Sequence, residues 1–527
     1  MKRVLLILFF VLTLNGYSQQ WSTSFSNIDT ITSGGSAVIE CFLNKGDSSL
    51  FVCGAFLKVN STYVNGIFEI KNTNWFTLGN GISQFAGSPK CLKSFSEKLF
   101  MGGGFLEVEN ASNTAYLASW NDTNWSGPAG GAAGNDVYDF IVFENKLFVG
   151  GEFNSIGGVA GREILAFDGE NWLNVGDMDC NWVRALETFN GELFAGGNFG
   201  LRKYLGGTDW LDFPGGPDAW VYDMTVDTFN NFLYVGGDFG YIDGGVPSYM
   251  AAMWDGFKWN SLGTNLPTAV WFKSMAVYRG DLYIGSGMTN LNDGLEVNCI
   301  AFWNGEKWDS VGSGTNNTVA ALEVFQDTLY VGGYFNQAGD LPAFGLAKVF
   351  VPDTSCSYIK PRVFTVADTF DLIEGQVEVQ FYNNNAYVDS WDWYFGSLGT
   401  ADIKDPAFIF TDTGDFNIQV TVAHSSCVKT ASKTIHIRNG VGMEEIESLN
   451  FKVYPNPSDN NFTVQLNFSE YKNCQLRITG INGHTKTIIP VESEMTLVKT
   501  DGWVIGTYIC NLFVDGKLVK SEKLILK

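Results

Sequence analysis

Histidine is nearly missing. The chain of 527 residues holds three, His424, His436 and His484, and none lies in the first 350. Neither a Ser/His/Asp triad nor a histidine-ligated metal centre can be built there. Charge is sparse as well. Asp, Glu, Lys and Arg make up 17% of the residues, with a net charge of −23. That balance favours solubility and argues against nucleic acid or an anionic membrane as partner. The nine cysteines are odd in number and thinly spread, without a C-x-x-C. They form neither a disulfide framework nor a zinc pattern. Cys356 with Cys427, and Cys474 with Cys510, are candidate bridges, and the sequence leaves both open. Long apolar runs are absent too. The longest, Val4 to Leu14, has 11 residues, too few to span a bilayer as a helix.

That short run has a role of its own. Lys2 and Arg3 precede it, and Gly16 and Ser18 follow it at cleavage spacing. Residues 1–18 read as a secretory signal, with the mature chain starting at Gln19. The expected location is outside the cell or on its outer surface.

Glycine and aromatics are plentiful, with 60 glycines and 15% aromatic residues. Many of the glycines fall in one recurring stretch: LFVCGAF from Leu50, LFMGGGF from Leu99, LFVGGEF from Leu147, LFAGGNF from Leu193, LYVGGDF from Leu233, LYIGSGM from Leu282 and LYVGGYF from Leu329. Seven copies at a period of 40 to 49 residues are one supersecondary unit repeated. Unit five supplies four strand-like pieces: Trp220 to Val226, the LYVGG run, Met250 to Trp254 and Trp259 to Gly263. Asp255-Gly256 lies between the last two, as do Asp168-Gly169 and Asn304-Gly305 in their units. Asn190-Gly191 and Arg279-Gly280 join the first strand to the second. These are hairpin turns in which glycine is free to take positive φ. Four antiparallel strands repeated seven times predict a seven-bladed β-propeller over residues 19–350. Unit seven lacks its fourth strand, and WSTSF from Trp21 is the piece expected to complete it, closing the ring and removing two sheet edges.

Tryptophan recurs at the fourth strand: Trp75, Trp125, Trp172, Trp210, Trp259 and Trp308. A glycine doublet followed by a spaced aromatic and a tryptophan resembles the kelch repeat. Its usual tyrosine slot is filled here mostly by Trp120, Phe167, Trp254 or Trp303. The resemblance implies a propeller used as a binding platform. Sialidase-like chemistry needs clustered arginines, but Arg162, Arg184, Arg202 and Arg279 are scattered over the repeats.

Beyond residue 350 the period stops. Residues 354–437 alternate as short strands. WDWYFG (Trp391 to Gly396), DPAFIF from Asp405 and TGDFNIQVTV from Thr413 resemble a PKD domain, which implies an immunoglobulin-like β-sandwich serving as spacer or adhesion module. Residues 438–449 read as a linker. Residues 450–527 carry Tyr454-Pro455-Asn456-Pro457, Asn482-Gly483, Gly506-Thr507-Tyr508 and a basic closing strand. This order resembles the sorting domain of the type IX secretion system. It implies a small β-sandwich, the type IX machinery as partner, removal of the domain, and release or attachment to surface lipopolysaccharide. The fold class is all-β throughout.

The long connections of the repeats fall on one face. There, the residue just before the innermost strand is Ser88, Asp136, Trp182, Trp220, Trp271 and Thr318 in units two to seven. Three neighbouring indoles at the channel mouth can stack on sugar rings, with Asp136 and Asp179 bonding hydroxyls. Alternatively they plug the channel as core. Asp177 and Asp179 on the loop Gly176 to Cys180 are either a Ca²⁺ loop or a solvated one, and no cofactor is otherwise implied. The predicted function is non-catalytic binding of a glycan or a protein. The alternative is a polysaccharide-degrading enzyme that uses carboxylates alone.

Overall fold

The computed structural model describes residues 19–439 and 451–526, apart from 24, 26–30, 33–36, 72–73, 83–86, 109–110, 129–131, 269, 352–355, 357, 373–374, 386–387, 459–460, 467–473, 481–484, 492–494, 501–502, 504–505 and 515–516. The described residues hold strands and two 3-10 turns, with no α-helix among them, so the protein is all-β. None of their elements is a helix long and apolar enough to cross a membrane. The expected signal segment, linker residues 440–449 and Asn482-Gly483 lie outside the described residues.

Each repeat folds as one sheet whose strands pair in order. Unit five runs Trp220–Asp227, Phe232–Asp238, Ala251–Trp254 and Trp259–Ser261, antiparallel throughout. The first six units all follow this plan. The seventh uses Val319–Phe325, Thr328–Gly333 and Leu346–Phe350, and its outer strand comes from the far end of the chain. That strand is Gln20–Ser22, with Trp21 opposite Val349. It begins one residue before the expected segment and stops short of Phe25, whose ring instead packs on Tyr330 at 6.0 Å. The first strand of every unit packs on that of the next, and unit seven returns to unit one. The seven sheets therefore close into a ring.

Glycine makes the closure possible. A Cβ on the first glycine of a doublet would run into the next unit. It would lie 2.7 Å from Val183 at Gly150 and 2.5 Å from Val221 at Gly196, and at Gly285, which precedes Ser286 in unit six, it would lie 2.5 Å from Val319. Gly332 of unit seven meets Ile39 of unit one in the same way, at 2.6 Å. The second glycine lies under a backbone carbonyl. Its Cβ would fall 2.5 Å from Trp182 O at Gly197 and 2.5 Å from Asp136 O at Gly151. Real side chains do not pack that closely, so the doublet records two close approaches.

The fourth-strand tryptophans bind adjacent units together. Trp125 Nε1 donates to Leu78 O at 2.8 Å, Trp210 to Val175 O at 2.8 Å and Trp308 to Leu262 O at 2.9 Å. Each acceptor belongs to the preceding unit. Trp21 does the same for unit seven, donating to Val311 O of unit six at 3.1 Å. Within a unit the aromatic of the third strand lies opposite the tryptophan, as with Trp254 and Trp259, whose rings are 5.5 Å apart.

The second module is a sandwich with Phe381, Trp393, Phe395, Phe410, Ile418 and Val420 at its core. Cys356 and Cys427 form a disulfide in it, with Cα atoms 5.5 Å apart. Its last strand, Cys427–Asn439, runs two residues beyond the expected boundary at 437. The module docks on the tight turns of units five and six. Phe257, in the turn after Asp255-Gly256, stacks on Phe364 at 5.3 Å. Lys360 pairs with Asp281 at 2.8 Å. Asn230 is fully buried between them. It donates to Asp227 Oδ2 at 2.6 Å and to Tyr358 O at 3.1 Å, and it accepts from Lys360 N at 3.0 Å and Asn385 Nδ2 at 2.9 Å.

The third module has two sheets, of three and four strands, between Phe451 and Leu526. Cys474 lies opposite Val514, and Cys510 lies opposite Ile478. The two cysteines are thus four pairs apart along the ladder, too far for a disulfide. That candidate bridge does not form.

Candidate functional site

The ring has two ends, and the mouth lies opposite the docked module. Val137, Val183, Val221, Phe272 and Val319 lie in register with Gly151, Gly197, Gly237, Ser286 and Gly333. The residue before each is a mouth residue: Asp136, Trp182, Trp220, Trp271 and Thr318. They therefore occupy one equivalent place around the ring. The geometry brings Trp182 and Trp220 into edge-to-face contact at 5.2 Å. Trp220 is 40% exposed and Trp271 is 78% exposed. Trp182 is half-buried, and its Nε1 has no hydrogen-bond partner among the described residues. Trp271 walls a cavity of about 540 Å³ with Lys273, Asn317, Thr318 and Tyr334. That is within the range of small-ligand sites.

The two predicted acids are engaged within the protein. Asp136 makes an ion pair with Lys90 of unit two. Asp179 lies 3.6 Å from Arg162 Nη1, while Asp177 accepts from the Arg162 backbone N–H at 3.1 Å. Both loop carboxylates thus turn to one arginine. No group of three or more metal-ligating side chains occurs among the described residues.

Sequence reasoning missed the layer beneath the mouth. Two residues inward along each innermost strand stand Glu40, Lys90, Tyr138, Arg184, Tyr222, Lys273 and Ala320. The Arg184 guanidinium lies 3.9 Å from the Tyr138 ring centre, 5.7 Å from that of Trp182 and 5.8 Å from that of Tyr222. Lys90 also lies over the Tyr138 ring, 5.0 Å from its centre. Such cation–π stacking holds aromatic faces in place. Burial pushes the Tyr138 hydroxyl up to about 12 and pulls Lys273 below the ordinary lysine range. Tyr334 donates to Glu40 across the ring seam at 2.9 Å. The available signal was positional. Lysine, arginine or tyrosine fills this place in five of seven units of an acidic chain.

Deeper in the channel the carboxylates serve the scaffold. Asp139 accepts from Phe140 N and, across the unit boundary, from Leu186 N, both at 2.7 Å. Asp223 does the same for Met224 at 2.9 Å and Met275 at 2.7 Å. Glu187 and Glu323 accept from the backbone N–H of Thr188 and Val324. Desolvation by the channel walls pushes Asp139 up to about 6 and Glu187 and Glu323 up to about 7. These raised carboxyls are committed to backbone amides.

The tail has its own geometry. Asn456 accepts from Ile525 N at 2.9 Å and donates to Lys523 O, so its amide pairs with the terminal strand. Ser458 N donates to Ile525 O at 2.8 Å. Tyr508 is buried against Trp503 at 5.1 Å, while Tyr454 is exposed. Gly506 opens its strand opposite Leu526. Pro455 and Pro457 flank Asn456, each after a cis peptide bond. Residues 452–527 match the family model described as a secretion system C-terminal sorting domain.

This tail is a type IX sorting domain. It engages the type IX secretion machinery and sends the chain to the cell surface or the extracellular space. No curated protein matches the chain. Among solved structures, the extracellular domain of a hybrid two-component system from B. thetaiotaomicron is similar at 10% identity and a TM-score of 0.42, covering 95% of this chain and 99% of that one. The GH74 enzyme of Niastella koreensis is similar at 10% identity and a TM-score of 0.39, covering 90% of this chain and 74% of that one. At these scores neither likeness assigns an activity.

Proposed function

We propose that the ring is a seven-bladed, kelch-like β-propeller whose mouth binds a glycan, and that the chain is a non-catalytic binding protein of the cell surface or medium. A PKD-like module and the sorting tail follow the propeller, and residues 1–18 are a cleaved signal. One observation carries the reading. Three indoles from adjacent units stand at the mouth, two of them substantially exposed, above a stacked layer of tyrosine and arginine. An indole face costs little side-chain entropy to order and covers the apolar face of a sugar ring. The test is glycan-array binding by the chain without its tail, then Trp220→Ala and Trp271→Ala. Lost binding with unchanged melting supports the site. Retained binding, or an array signal on proteins only, defeats it. New reducing ends during incubation with polysaccharide defeat the non-catalytic part.

A further inference from the structure

The mouth contains two cations without an ion pair or hydrogen bond among the described residues. Lys273 lines the 540 Å³ cavity beside Trp271, its ammonium 5.5 Å from the indole centre. Arg184 stands two units away in the same layer, held over Tyr138. Three of the nearby acids are already engaged, while Asp238 stands opposite Trp220 at the mouth. Asp136 pairs with Lys90, Glu40 accepts from Tyr334, and Glu152 accepts from Tyr138 at 3.3 Å. Lys273 is also desolvated, which Glu40 offsets in part by attraction, while Arg184 and Lys90 each repel it more weakly. A partly buried ammonium without a close partner favours an incoming anion over a neutral group.

We infer that the cavity takes an acidic sugar residue, its ring face on Trp271 and its carboxylate on Lys273, with Arg184 as the second cation along the chain of sugars. This rests on the glycan reading of the mouth and narrows it to uronate-containing polysaccharide. Asn317, Thr318 and Tyr334 supply amide and hydroxyl groups around the same cavity for the sugar hydroxyls. The arginines alone did not indicate an acidic ligand. Lysines from other units complete the charge.

The experiment compares polygalacturonate, alginate and hyaluronan with neutral xyloglucan, laminarin and mannan, using the chain without its tail at low and high salt. Acidic polymers should bind at least about tenfold more tightly, and the preference should shrink with salt. Lys273→Met should lose about tenfold on the acidic polymers alone, at unchanged melting temperature, and Lys273→Arg should restore most of it. If neutral polymers bind as well as acidic ones and Trp271→Ala abolishes both, the glycan reading stands and the acidic inference falls. If the acidic preference survives Lys273→Met, the inference falls as well. Binding to none of the six, or to acidic peptides only, overturns both readings.

Discussion

The two ends of the ring are made from the same strands and have opposite fates. At the turn end the connections are two to four residues long and stereochemically specified. Asn190 and Gly191 both take positive φ, as do Arg279 and Gly280. Asp168, Asp255 and Asn304 each accept from the backbone N–H groups two and three residues on in their turns. Over units five and six that end is covered by the second module, and its polar groups are paired through Asn230, Asn384 and Lys360. At the mouth the side chains are aromatic and cationic, and several are exposed or unpaired. The contrast shows where satisfied hydrogen bonds stabilise the fold and where chemistry is left available for a ligand.

The largest effect should come from breaking the covered end. Asn230→Ala removes side-chain bonds to Asp227, Tyr358, Lys360 and Asn385, leaving the Asp227 carboxylate buried beside an apolar methyl. A loss of about 4 kcal/mol is expected, from several unmet buried polar groups at 1–3 kcal/mol each. Equilibrium denaturation measures it. A loss below about 1 kcal/mol would show that the module is only loosely seated.

Between the ends lies the channel, where stability should depend on pH. Glu187 and Glu323 titrate near 7 in the folded chain, above their ordinary value of 4.5. Between these values the folded state binds more protons than the unfolded one, so stability is full below about pH 4.5 and falls as pH rises through about 7. Each group contributes up to roughly 3 kcal/mol of this loss. Glu323→Gln should therefore stabilise the chain at pH 8 and leave it nearly unchanged at pH 5. Melting curves at the two pH values decide, and equal shifts at both would refute the assignment.

The scaffold shared by both ends should respond less. Gly332→Ala places a methyl 2.6 Å from Ile39 at the seam. Overpacking of this kind costs about 2 kcal/mol. Ile39→Ala in the same chain removes the Cγ2 contact but keeps a Cβ 2.8 Å from the new methyl, so it should relieve the clash only in part, and the two changes should be non-additive in a double-mutant cycle.

The smallest effect belongs to the open end. Trp271→Ala should change stability by less than about 0.5 kcal/mol, as expected for an exposed side chain. Trp182→Ala, half-buried against Trp220 and Arg184, should cost more than Trp271→Ala in the same assay. If the order is reversed, Trp271 is core and the mouth is misread.

Several features were written locally and could be read directly. The repeats, the turn residues, the tryptophan series and the Tyr454-Pro455-Asn456-Pro457 tail follow from period, glycine and turn chemistry, which involve residues close in sequence. The alignment of the mouth position was legible for the same reason, since Trp182 and Trp271 stand 11 residues before their repeat leucines and Trp220 stands 13 before Leu233, where the first turn is longer. Only the tertiary structure decided which chemistry meets there. Asp136 finds Lys90 from 46 residues away, and Asp179 finds Arg162 instead of the mouth. Lys273 and Arg184 share a layer because ring closure turns their strands inward, and no local pattern states that. Trp21 completes the tryptophan series from the N-terminal end of the repeats, 290 residues from its acceptor. Cys356 meets Cys427 while Cys474 and Cys510 stay four ladder pairs apart. Periodicity is a property of neighbours along the chain. Convergence depends on how far the closed ring brings distant strands together, and that distance is set by packing between units.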